Sequence, residues 1–71
     1  MEFEGIVLSV SADYLVRSRD DIEEEEEGVR LMEPYVFTDE ETVQRIEADE
    51  MLIPYAAVEG VQYGEFTQST P

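Results

Sequence analysis

The 71-residue chain has no cysteine, no histidine, no lysine and no tryptophan. Without cysteine there is neither a disulfide nor a thiolate metal site. Without histidine the other common zinc ligand is gone, and with it the usual general base near neutral pH. The missing lysine removes the P-loop cation. It also leaves the serines Ser9, Ser11, Ser18 and Ser69 with neither base that would activate a hydroxyl. A carboxylate pair for glycoside hydrolysis needs a cleft that so short a chain hardly encloses. No enzymatic activity, cofactor or metal is therefore expected. No run approaches the ~18 consecutive apolar residues of a membrane-spanning helix, and no membrane association is expected.

What is present is negative charge. Nineteen Asp and Glu face four cations, all arginine, at Arg17, Arg19, Arg30 and Arg45, for a net charge of −15. That charge opposes binding to phosphate backbones and anionic membranes, so nucleic acid is not the expected partner. High acidity without lysine resembles the proteins of extreme halophiles. At about 1 M salt the Debye length is ~3 Å, and repulsion among the carboxylates is strongly screened. At low salt the same charge opposes the compact state. A nucleic-acid mimic and an acidic mesophilic protein are the competing readings. The start, Met1-Glu2-Phe3-Glu4, is acidic where a signal peptide is basic. The expected location is the cytoplasm, or a particle assembled there.

Residues 2–11 alternate with period two, and Ile6, Leu8 and Val10 form the more apolar series. Ala12-Asp13 predicts a short turn into a second strand over 14–19, hence an antiparallel hairpin. Strands are also expected at 29–33, 35–37 and 51–53, with Pro34 and Pro54 as interruptions. Ala56 to Val58 then leads into Gly60 to Tyr63, and Val58 and Val61 both face inward if Glu59-Gly60 forms a bulge or turn. Gly28 is expected to turn the chain with positive φ. Thr38-Asp39-Glu40-Glu41 reads as a capping box, which predicts a helix over 39–48 with Val43 and Ile46 facing inward. The expected fold is α+β but mostly β: a small, strongly bent antiparallel sheet or open barrel of about five strands with one short helix. It is expected as one domain over 1–64 with a mobile tail over 65–71. The predicted core is Ile6, Leu8, Val10, Val16, Leu31, Val36, Val43, Ile46, Leu52, Ile53, Val58 and Val61.

Three groups of residues are candidates for function. Asp20, Asp21, Glu23, Glu24, Glu25, Glu26 and Glu27 form an acidic run that is either a solvated loop or an interaction surface. Arg17, Arg19 and Arg30 form either a small anion patch or ordinary cross-strand pairs with acidic neighbours. Tyr14, Tyr35, Tyr55, Tyr63 and Phe66 are either an interface set or the cover of a small core.

The pattern of strands, with Val29-Arg30-Leu31-Met32-Glu33, Met51-Leu52-Ile53 and the short run Ile53-Pro54-Tyr55-Ala56-Ala57-Val58-Glu59-Gly60-Val61, resembles small Sm-like and SH3-like β-barrels across roughly residues 3–63. The resemblance implies a bent five-stranded barrel and a tendency to oligomerise. The Sm-like RNA pocket uses Asp and Asn in one loop and Arg-Gly in another. Here the first loop has no Asn, and Pro54-Tyr55 stands where Arg-Gly belongs, so no RNA-binding residue carries over.

A chain this short buries only about 60% of its unfolded surface, and with disulfide and zinc excluded the remaining aid is association. The expected function is a non-catalytic interaction or assembly module of a halophilic organism or its virus. Its partner is another protein or itself, with a homo-oligomer expected. The first alternative is an acidic mimic that inhibits a nucleic-acid-binding protein. The second is an Sm-like nucleic-acid binder using the arginines.

Overall fold

The computed structural model describes residues 1–38 and 42–67. Eight strands follow in order: β1 (Glu2–Ser9), β2 (Asp13–Val16), β3 (Ile22–Glu24), β4 (Gly28–Met32), β5 (Tyr35–Phe37), β6 (Val43–Arg45), β7 (Glu50–Pro54) and β8 (Val58–Thr67). They build two sheets, a five-stranded one in the order β6-β5-β2-β1-β8 and a three-stranded one in the order β3-β4-β7. Every pairing is antiparallel, and neither sheet closes into a barrel. Among the described residues the only helical segments are two 3-10 turns, Arg19–Asp21 and Tyr55–Ala57.

The β1–β2 hairpin forms as expected, with Ile6 opposite Leu15 and Val7 opposite Tyr14. Its turn is closed by Ser9. The Ser9 amide donates to the Ala12 carbonyl at 3.0 Å. The Ser9 hydroxyl donates to the same carbonyl at 2.6 Å and accepts from the Ala12 amide at 3.1 Å. A buried hydroxyl with partners on both sides carries little desolvation penalty.

The main core lies between the sheets. Val7 and Val16 from the larger sheet meet Ile22, Val29, Leu31 and Ile53 from the smaller strands, with Tyr14, Met51, Ala57, Val58 and Val61 packed around them. Phe3 and Leu15 are also fully buried but lie outside this cluster. The Phe3 ring meets Tyr35 edge-on, centroids 5.2 Å apart, and Tyr35 is the register partner of Leu15.

Val16, Leu31 and Ile53 are buried as expected. Strand β1, however, is turned over relative to the expectation. Gly5, Val7 and Ser9 are buried on the core side, Phe3 is buried against Tyr35, Ile6 and Leu8 are only half-buried, and Val10 is 69% exposed. Gly5 shows why. A Cβ there would collide with the tip of Ile22 and sit 3.1 Å from Val16, so the glycine series is the one that lets the smaller sheet close down. Leu52 is likewise on the wrong face, 37% exposed, because it pairs with Arg30 while its neighbour Ile53 pairs with Val29. Val36, Val43 and Ile46 are half-buried rather than core.

The helix expected at 39–48 is replaced by β6 over its middle, and residues 39–41 lie outside those described. Thr38 does act as a local cap, but for a hairpin. Its amide and its hydroxyl both donate to the Thr42 carbonyl, at 2.9 and 3.2 Å. Two inward apolar residues make too narrow a stripe for a short helix, whereas β5 offers Val36 and Phe37 as cross-strand partners for Gln44 and Val43.

Residues 65–67, expected as tail, belong to β8, which runs to Thr67 and sets Phe66 opposite Phe3. Residues 68–71 lie outside those described. Gly28 has no positive φ. It is needed for close approach instead: a Cβ there would collide with the Ile53 carbonyl oxygen and stand 2.9 Å from Pro54 Cα. The one residue with a left-handed backbone among those described is Glu33, at φ 47°.

Candidate functional site

The acidic run is built into a hairpin. Ser18 caps the first 3-10 turn, its hydroxyl accepting from the Asp20 amide at 3.2 Å. Asp20 and Asp21 sit in that turn, Glu23 and Glu24 on β3, and residues 25–27 lead into β4. The Glu25 amide donates to the Gly28 carbonyl at 2.8 Å.

Arg30 then clamps the tip. Its Nε and Nη2 reach the two carboxylate oxygens of Glu25 at 2.8 and 3.1 Å, and its Nη1 lies 3.3 Å from Glu50. Parallel guanidinium–carboxylate bonds fix direction as well as distance. The hydrogen bonds from Arg30 hold the Glu25 carboxyl below the usual carboxylate range, and the same pairing raises the Arg30 guanidinium.

Two tyrosines flank this tip. Tyr55 donates its hydroxyl to the Glu25 carbonyl. Tyr63, on β8, has its phenol pushed above the ordinary value, first by burial and then by the charge of Glu24 and a hydrogen bond to it; Arg19 pulls the other way. Both side chains are nevertheless 45% exposed. The other aromatic candidates are elsewhere. Tyr14 packs against the main core. Tyr35 lies against Phe3, with the Arg45 guanidinium 6.0 Å from its ring centre. Phe66 lines a cleft of about 200 Å³ at the β1–β8 end of the sheet, with Glu2, Glu4, Glu65 and Arg17.

The three candidate arginines have separate partners. Arg17 donates from Nε to the Glu2 carbonyl at 3.0 Å. The Arg19 amide, not its guanidinium, donates to Glu4 at 3.1 Å. Arg30 belongs to the smaller sheet and its two carboxylates. Among the described residues no set of acidic side chains is arranged to hold a metal ion, and no helix is long and apolar enough to cross a membrane.

The outer face of the larger sheet was missed in the sequence. Register puts Ile6, Leu15 and Tyr35 in one row across β1, β2 and β5, and Phe37 beside Val43 across β5 and β6. The core-facing row is Val7, Tyr14 and Val36. The smaller sheet covers that inner side, so Ile6, Leu8, Tyr35, Phe37 and Val43 lie on the side away from it, half-exposed. The signal was available in β1, where both parities carry apolar residues, as in a strand apolar on two faces.

These features define a small, mostly β protein of two antiparallel sheets. Comparison with family models, with curated proteins and with solved structures finds no match to this chain.

Proposed function

We propose that the chain is a non-catalytic assembly module that associates with itself in a salt-rich cytoplasm, that of a halophilic organism or its virus. The observation that carries this reading is the apolar outer face of the five-stranded sheet, with Ile6, Leu8, Tyr35, Phe37 and Val43 half-exposed in a chain of net charge −15. Partly exposed apolar side chains on one sheet face of an otherwise charged small protein favour an interaction site there. High salt permits the contact by screening the carboxylates.

The test is absolute mass by light scattering on a sizing column, with circular dichroism, from roughly 0.1 to 3 M KCl. Over that range the screening length falls from about 10 Å to under about 3 Å. A discrete folded oligomer that tightens with salt supports the module. A folded monomer at every salt concentration refutes it.

The nucleic-acid mimic has one observation in its favour. Glu23, Glu24, Glu26 and Glu27 are exposed on a hairpin that Arg30, Tyr55 and Tyr63 hold in place. This reading requires a basic partner whose binding weakens steeply with salt, the opposite trend to assembly. The arginine-based nucleic-acid binder has the least support, because Arg30 lies between Glu25 and Glu50.

A further inference from the structure

Two sheets leave four strand edges among the described residues, and three are blunted. Strand β3 is three residues long and carries Glu23 and Glu24; β6 is equally short, with Arg45 beside Glu33; β7 begins at Glu50 and ends in Pro54. Short length, charge and proline are the usual protections of an edge. Strand β8 differs. It is ten residues long without proline, and its own protections, Glu59, Glu65 and two register shifts, lie outside residues 60–63.

Two hydrogen bonds reveal which β8 groups are unpaired. The Ser9 amide bonds to Ala12, so the Ser9 main chain looks toward β2; the Val10 amide bonds to Ala57, so it looks toward β8. Main-chain direction alternates along an antiparallel strand. Leu8 and Ile6 therefore look toward β8, and their partners Gly60 and Gln62 look back at β1. The N–H and C=O of Val61 and Tyr63 consequently point out from the open edge. Register shifts lie on either side of this stretch, so residues 60–63 are the regular part of the strand, and they carry no charge.

We infer that the outward edge of β8, at Val61 and Tyr63, is the seam at which a second copy of this chain docks, antiparallel and related by a two-fold axis. This rests on the assembly reading above and adds a contact along the edge of the same sheet to the face named there. Charge sets the place of contact, and two-fold self-complementarity sets the occupant. Two copies of net charge −15 meet with least repulsion along an uncharged run, and a strand edge is complementary to itself across a two-fold.

Register follows too. Facing residues must both look outward, which allows Val61 opposite Val61, Tyr63 opposite Tyr63, or Val61 opposite Tyr63. The two-fold axis therefore passes through Val61, Tyr63 or, where Val61 faces Tyr63, Gln62.

The experiment is amide hydrogen exchange read residue by residue by NMR on the full chain in 3 M KCl, at concentrations above and below the dissociation midpoint found by light scattering. Gly60 and Gln62 are protected at both concentrations. The Val61 and Tyr63 amides slow by at least about tenfold in the concentrated sample. A doubled mass with Val61 and Tyr63 exchanging equally fast in both samples overturns the seam and leaves the assembly reading standing. A monomer under all conditions overturns both. Val61→Pro removes an outward donor and no bond to β1, so it yields a folded monomer. A folded Val61→Pro dimer overturns the seam, and if that variant does not fold, the exchange pattern of the unaltered chain decides.

Discussion

The two sheets share one core but finish their solvent sides differently. On the smaller sheet the outer row runs Glu23, Arg30, Leu52, and Arg30 is tied to Glu25 and Glu50. On the larger sheet the corresponding row runs Ile6, Leu15, Tyr35, with Leu15 buried and its two neighbours partly exposed. Charged side chains are complete in water, whereas apolar ones gain further from being covered. The smaller sheet thus ties its outer charges in ion pairs and leaves Leu52 as the exposed apolar residue of that row. The larger one keeps a surface on which association can act.

The largest expected effect tests whether the inner and outer faces differ as described. Leu31→Ala, at a position with no exposure, is expected to cost about 3 to 4 kcal/mol. Ile6→Ala on the half-buried outer face is expected to cost about 1 kcal/mol in the monomer. Urea unfolding in high salt measures both, and equal losses would erase the distinction.

A smaller effect concerns glycine. Gly28→Ala pushes against the Ile53 carbonyl in the β4–β7 ladder, where backbone cannot step aside. A loss of about 2 kcal/mol is expected. At Gly60, in the larger sheet, an added Cβ meets only Leu8 Cδ1 at 3.8 Å, so Gly60→Ala is expected to be near neutral. A Gly28→Ala chain with an unchanged unfolding midpoint contradicts the close approach.

The smallest effect is at the acidic tip and depends on pH. The folded Glu25 carboxyl is held below its ordinary value by Arg30. Its contribution is therefore present above the ordinary carboxylate range and is lost as pH falls through the lowered value. The stability gap between the unaltered chain and Arg30→Gln should be widest near neutral pH and shrink on acidification. The pair is partly open to water, so the gap is modest and narrows with salt. A gap that grows in acid would show that Arg30 matters for some reason other than Glu25.

Much of the β architecture is legible in the sequence, because the Ala12-Asp13 turn and the runs around Leu31 and Ile53 have strand periodicity. The facing of β1 is not. Both of its parities carry apolar residues, and Gly5 and Ser9 look inert until Ile22 and Ala12 are seen to need them. The Thr38 capping signal is ambiguous for a physical reason, since a hydroxyl that can cap a helix can also close a hairpin loop. Residues 65–67 look like tail because no apolar run marks them, yet Phe66 has Phe3 as its cross-strand partner. Of the candidate sites, the acidic run is legible as a segment. Its order is not, because the clamp from Arg30 exists only once the β3–β4 register is set.

The Ser9 turn also bears on the order in which the chain folds. It joins β1 to β2 through neighbours in sequence and through an uncharged hydroxyl, so neither a long loop closure nor charge repulsion delays it. Pairing Glu2 with Thr67 instead brings together residues far apart in sequence, and non-local pairing is slow. The expected order puts the β1–β2 hairpin first and β8 last. On a ribosome, β1 therefore waits for β8 to emerge with one side unpaired, and a copy of the same strand from a neighbouring chain is a competing partner during that wait.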